Sequence, residues 1–202
     1  MSKSSLNACV KTLAQAAVAM LIIVALPSRQ AGAQGQDRMV QAISVPALGL
    51  QYTPPAGMND KTTPASKQLR DRAATPSKAA QLILDMSSAD PDTSPQWHQI
   101  WIFIFPRAQM ANLSDAAAEA KMNTALAGPR ATSVGDPKAT TMGGHNFLFS
   151  GFEQKEPPLL KQAKIYTTIC KTQLVSFVLV SNSAEPMKEL EDSLNSITFA
   201  GK

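Results

Sequence analysis

The stretch from Gln96 to Phe105 is apolar on both of its alternating faces. Trp97, Trp101, Phe103 and Phe105 fall on one side of an extended chain, and Ile100, Ile102 and Ile104 fall on the other. Successive side chains of a strand point to opposite faces of its sheet, so this strand has no face to offer to water. It belongs inside a sheet that is covered on both sides. No basic residue interrupts the aromatic face, which therefore reads as core packing and not as a platform for stacking bases or sugars.

The rest of the chain supplies the sheet and its covers. Ala42–Val45 and Leu50–Thr53, joined by a turn over Pro46–Gly49, read as a small hairpin stopped by Pro54-Pro55 and Gly57. Thr63 is placed to cap a short helix that has Pro64 at its first position and runs to about Ala74. Ala80–Ser87 is a strand with Leu82, Leu84 and Met86 on one face and Gln81, Ile83 and Asp85 on the other. A connection of turn formers, Asp90 to Pro95, leads into the two-faced strand. An Ala-rich helix follows, capped by Ser114, carrying Met122 and Leu126 one turn apart, and ended by Gly128-Pro129. Strands return near Ala131–Val134, at Asn146–Phe152, at Ala163–Cys170 and at Gln173–Ser181, with Gly143-Gly144 and Lys171-Thr172 as turns. A last helix begins at Ser183 and aligns Met187, Leu190 and Leu194, before a short strand at Ile197–Phe199. Neighbouring strands joined by short turns are antiparallel, so the expected class is α+β, an antiparallel sheet with helices packed on it.

The 202 residues suit one domain, and the first 33 are set apart by composition. Lys3 and Lys11 mark a weakly positive start, Leu13–Leu26 is nearly all apolar, and Ala31-Gly32-Ala33 follows. These are the parts of a secretory signal peptide cleaved before Gln34. The apolar part is too short to span a bilayer as a helix, and Cys9 precedes it, the wrong side for lipidation. The expected organisation is a signal peptide over 1–33, a flexible lead-in over 34–41 and one domain over 42–202, placed in the periplasm, with no transmembrane segment after cleavage. Without Lys3, Lys11 and Arg29, the 19 basic residues fall to 16, against 15 acidic ones. That balance excludes a nucleic-acid footprint, which needs clustered positive charge.

The phrase Leu48-Gly49-Leu50-Gln51-Tyr52-Thr53-Pro54-Pro55-Ala56-Gly57-Met58 resembles the opening of the PsbP-like and DcrB-like domains. The closing half resembles them too: a Gly-rich turn, an aromatic strand, Tyr166 in an antiparallel strand, Leu174–Val180 in the next, then a helix and a short strand. The resemblance spans roughly residues 42–200 in order of elements. It implies an α/β/α sandwich and an exported non-enzymatic protein of bacterial type, and it brings no catalytic residues and no cofactor. A manganese or calcium ligand pattern is not seen in the sequence, so a photosynthetic role is not implied.

Chemistry-bearing residues are sparse. His98, His145 and Cys170 stand apart in sequence, and Asp90 and Asp92 flank a proline in a turn, short of a metal's ligand count. His145, just after Gly143-Gly144, is the weak candidate for a ligand contact. Cys170 has Lys171 beside it, yet it alternates with strand residues and reads as a buried thiol. Segment 59–78 carries Lys61, Lys67, Arg70, Arg72 and Lys78 against Asp60 and Asp71, the largest local charge excess after the leader. These five residues are the candidate surface for an acidic protein or an anionic envelope component. The leading expectation is a binding or accessory domain. The rivals are a small hydrolase using His145 with Asp136 or Cys170, and a small-ligand carrier with an apolar pocket.

Overall fold

Every strand pairing among the described residues is antiparallel. The computed structural model describes residues 41–72, 80–156 and 159–200. The strands are β1 (Ile43–Val45), β2 (Leu50–Tyr52), β3 (Asn59–Asp60), β4 (Gln81–Ser87), β5 (His98–Pro106), β6 (Thr132–Ser133), β7 (Lys138–Met142), β8 (His145–Glu156), β9 (Leu159–Cys170), β10 (Gln173–Ser181) and β11 (Thr198–Phe199). The helices are α1 (Pro64–Arg72), α2 (Asp115–Ala127) and α3 (Ala184–Ser193). One sheet runs β3-β4-β5-β10-β9-β8-β6, with β7 also on β8, and a smaller one runs β1-β2-β11.

The two-faced strand occupies the position its composition demands. β5 lies between β4 and β10, and its faces meet different partners. Ile100, Ile102 and Ile104 join Val175, Phe177, Leu179, Phe147 and Tyr166 under α3 and the small sheet, which contribute Met187, Leu190, Val45, Leu50 and Tyr52. Phe103 and Phe105 join Leu174, Val178, Ile165 and Phe152 under α2, which contributes Ala118, Met122 and Ala127. The small side chains of α2 allow it to lie close on the sheet. Burying side chains of this size stabilises by roughly 1.5–3 kcal/mol each, and two full faces of them account for the three layers.

Local signals explain the ends. Ser114 accepts from the Ala117 N–H at the start of α2, and Thr63 Oγ1 accepts from the Ser66 N–H at the start of α1. Gly143 and Gly144 both have positive φ, the geometry of a two-residue hairpin turn between β7 and β8. Lys171 takes the same left-handed backbone at the β9–β10 turn, and its Nζ reaches the Ala47 carbonyl.

Three expectations need correction. β4 carries a bulge between Leu82 and Leu84, so Leu82 lies on the sheet face that carries α2 while Ile83, Leu84 and Met86 face the other core. β7 is an additional strand: its largely exposed residues give little alternation, and pairing with β8 holds them extended. Trp101 is only half-buried, because α2 packs chiefly on β8, β9 and β10 and leaves the β4–β5 side of that face less covered. α1 runs to Arg72, and the expected helix end near Ala74 lies outside the described residues.

Candidate functional site

The basic segment sits on β3, α1 and the link between them. Lys61 is exposed, and its backbone N–H donates to the Asp85 carbonyl, tying the segment to β4. Lys67, one turn into α1, forms an ion pair with Asp60 at 3.0 Å. Burial raises the Asp60 carboxyl, but hydrogen bonds from Thr62 and Lys67 outweigh it and hold the group below its ordinary range. Lys67 is therefore partly neutralised. Arg70 is half-buried on α1, Arg72 closes the helix, and Lys78 lies outside the described residues.

His145, Asp136 and Cys170 are not joined by any hydrogen bond or ion pair among the described residues. The His145 ring packs on Phe199, centroids 4.2 Å apart. Asp136 is exposed between β6 and β7. Cys170 is buried in the core under the small sheet, its thiol 3.6 Å from the Leu48 carbonyl. Burial pushes that thiol up, against the pull of Lys171. Among the described residues, no three His, Cys, Asp or Glu side chains cluster as a metal site would require.

The polar clusters that the structure does build lie elsewhere. Asn123 of α2 is fully buried, donating to the Leu148 carbonyl at 3.0 Å and to Ser150 Oγ at 2.9 Å. Its Oδ1 accepts from Thr167 Oγ1 at 2.5 Å, and Thr167 meets Ser176 at 2.7 Å. On the opposite face, Glu191 of α3 accepts from the Tyr166 hydroxyl at 2.8 Å and pairs with Lys164 at 2.7 Å. Glu191 reads from sequence as solvated helix surface, yet it ties α3 to β9. A third cluster forms where β4 meets β5: Asp85 accepts from Gln99 Nε2 at 2.6 Å and from the Trp101 indole N–H. Sequence offered one hint of it, a lone acid alternating with apolar residues in a strand.

No family model matches the chain, and no curated protein matches it. Solved structures do. The solution structure of cyanobacterial PsbP (CyanoP) from Synechocystis sp. PCC 6803 is 14% identical, covering 83% of this chain and 98% of that one, with a TM-score of 0.52. LpqN, described as involved in cell envelope biogenesis of Mycobacterium tuberculosis, is 13% identical over 74% of this chain and 83% of its own, at a TM-score of 0.41. A protein from Bacteroides thetaiotaomicron VPI-5482 is 10% identical over 81% of this chain, at 0.48; the chain spans 50% of its length. The likeness to CyanoP shows the fold: an antiparallel α+β sandwich of the PsbP-like kind, as the resemblance in sequence implies.

Proposed function

We propose that this chain is an exported, envelope-side domain that works by binding, as an accessory protein and not as an enzyme. The observation that carries the reading is the commitment of the would-be catalytic groups to other tasks. His145 packs on Phe199, Cys170 is buried against Leu48, and Asp136 is linked to neither. A nucleophile–base pair within hydrogen-bond reach is what a hydrolase of this kind needs. The leader-like residues 1–33 and the PsbP-like fold support an exported accessory role.

Lys61, Lys67, Arg70, Arg72 and Lys78 are the surface assigned to an acidic protein or an anionic envelope component. Because Asp60 neutralises part of Lys67, that residue contributes less than its full charge to this surface. The test is co-sedimentation with phosphatidylglycerol-containing vesicles, for the parent and for the triple reversal of Lys67, Arg70 and Arg72 to Glu. Binding weakens in the reversal, most at low salt, where exposed charges act furthest. Equal binding by both forms removes the surface from the proposal. Turnover of a simple aryl ester that His145→Ala abolishes overturns the non-enzymatic reading. A lipid that co-purifies stoichiometrically favours the carrier.

A further inference from the structure

The sheet face that carries α2 continues past the helix as a row of half-buried residues: Leu82 on β4, Trp101 on β5, Val180 on β10 and Ala163 on β9. These four strands are consecutive in the sheet, and the register sets Trp101 two residues along from the level of Leu82 and Val180 two along from Trp101, so the row is a diagonal that crosses about 14 Å of it. Asp85 stands directly across from Trp101 on the same face. Its two side-chain hydrogen-bond donors, Gln99 and Trp101, are both neutral. Lys61 acts on it through space without forming an ion pair among the described residues, and Lys67 is held by Asp60.

A carboxylate set among apolar side chains with only neutral donors is under-compensated, and burial holds its proton affinity up. The other tryptophan shows the complementary arrangement. Lys161 Nζ stands 5.3 Å from the centroid of the Trp97 ring. Among the described residues, no cation is seated on Trp101 in that way. An indole beside a carboxylate is a match for an organic cation, and a guanidinium suits it best, because it can both bridge a carboxylate and stack on a ring. A row this long exceeds a single cation and fits about four residues of extended chain.

We propose that Asp85, Trp101 and Gln99 form a cation subsite that docks an extended segment of a protein partner, an arginine flanked by apolar residues. This goes beyond the basic surface of α1 and does not depend on it, so the vesicle experiment leaves it untouched.

The probe is the capped peptide acetyl-Leu-Val-Arg-Val-Leu-amide, followed through the two tryptophan indole N–H signals by NMR, with Trp101→Phe assigning them. The Trp101 signal shifts saturably, with a dissociation constant below about 1 mM. Replacing the arginine by citrulline, its neutral analogue, weakens binding at least about tenfold, as does Asp85→Asn, which keeps an acceptor for Gln99. The citrulline comparison uses the parent protein, so it stands even if Asp85→Asn fails to fold. No shift at saturating peptide, or equal binding of the arginine and citrulline peptides, overturns the proposal. Ethylguanidinium binding as tightly as the peptide overturns the docking of a segment and leaves a site for small organic cations.

Discussion

Removing the side chain of Asn123 should loosen the seating of α2 on the sheet. Asn123→Ala takes away the partner that donates to Ser150 Oγ and the Leu148 carbonyl and the oxygen that accepts from Thr167. Thr167 and Ser176 can still satisfy one another. Ser150 Oγ and the Leu148 and Ile165 carbonyls lose their Asn123 donor, and the Ser150 and Ile165 groups are buried. An orphaned buried polar group costs about 1–3 kcal/mol, and loss of a satisfied bond about 1 kcal/mol. With a small cavity added, the expected destabilisation is about 3–4 kcal/mol. Urea unfolding monitored by tryptophan fluorescence measures it, with the slope unchanged. The combined replacement Asn123→Leu and Ser150→Ala removes the Ser150 hydroxyl together with its donor and leaves Thr167 paired with Ser176, so it should recover part of the loss. If Asn123→Ala costs under about 1 kcal/mol, or the apolar double is worse than the single variant, the network is not what fixes the helix on the sheet.

Glu119 provides a pH test: burial, with the Asp115 charge adding to it, lifts its carboxyl to about 7, against the Ile169 N–H and Arg107, which lower it. The folded value exceeds the unfolded one, so this group favours the fold at acid pH, and the benefit fades as pH rises from about 4.5 through 7. After allowance for screening on its solvent side, Glu119→Gln should gain about 1–2 kcal/mol at pH 8 and nothing at pH 4; an equal effect at both refutes the assignment. Cys170 should react with a thiol reagent slowly in the native state and quickly in urea, since it is buried and its thiol is pushed up; rapid native labelling would revive a reactive-thiol role. A Cβ at Gly143 would lie 2.7 Å from the Ile197 carbonyl oxygen, whereas one at Gly144 meets nothing within 4 Å. Both have positive φ, so Gly144→Ala should cost about 1 kcal/mol of backbone strain and Gly143→Ala clearly more, read as a difference in melting temperature.

Much of the architecture is written in local patterns. The double-sided apolar alternation of β5 places it inside a covered sheet, and Ser114, Gly143-Gly144 and the Met187–Leu190–Leu194 spacing mark elements that the structure contains. What escaped depends on contacts between distant segments. The bulge in β4 has no Gly or Pro to announce it; it arises from matching Leu82 and Leu84 to Phe103 and Ile102. β7 is held by β8 and not by its own propensity. Asn123 follows Met122 in sequence and looks like surface until Ser150 and Thr167 are brought beneath it. The basic residues of segment 59–78 were visible as a charge excess, but their pairing was not: the ion pair of Lys67 with Asp60 needs β3 and α1 to fold together.

The small sheet joins the two extremes of the described chain. β2 pairs with β1 on one side and with β11 on the other, and the Ala200 N–H donates to the Gly49 carbonyl at 2.7 Å. Whatever delivers the polypeptide, a ribosome or a translocation channel, releases Ile43–Tyr52 long before Ile197–Ala200. Until then the hairpin has an open edge, and the face that carries Val45, Leu50 and Tyr52 lacks Ile197 of its final cluster. Closing so long a loop is entropically slow. Of the three strands of the small sheet, β11 is the last to emerge, and it is the latch.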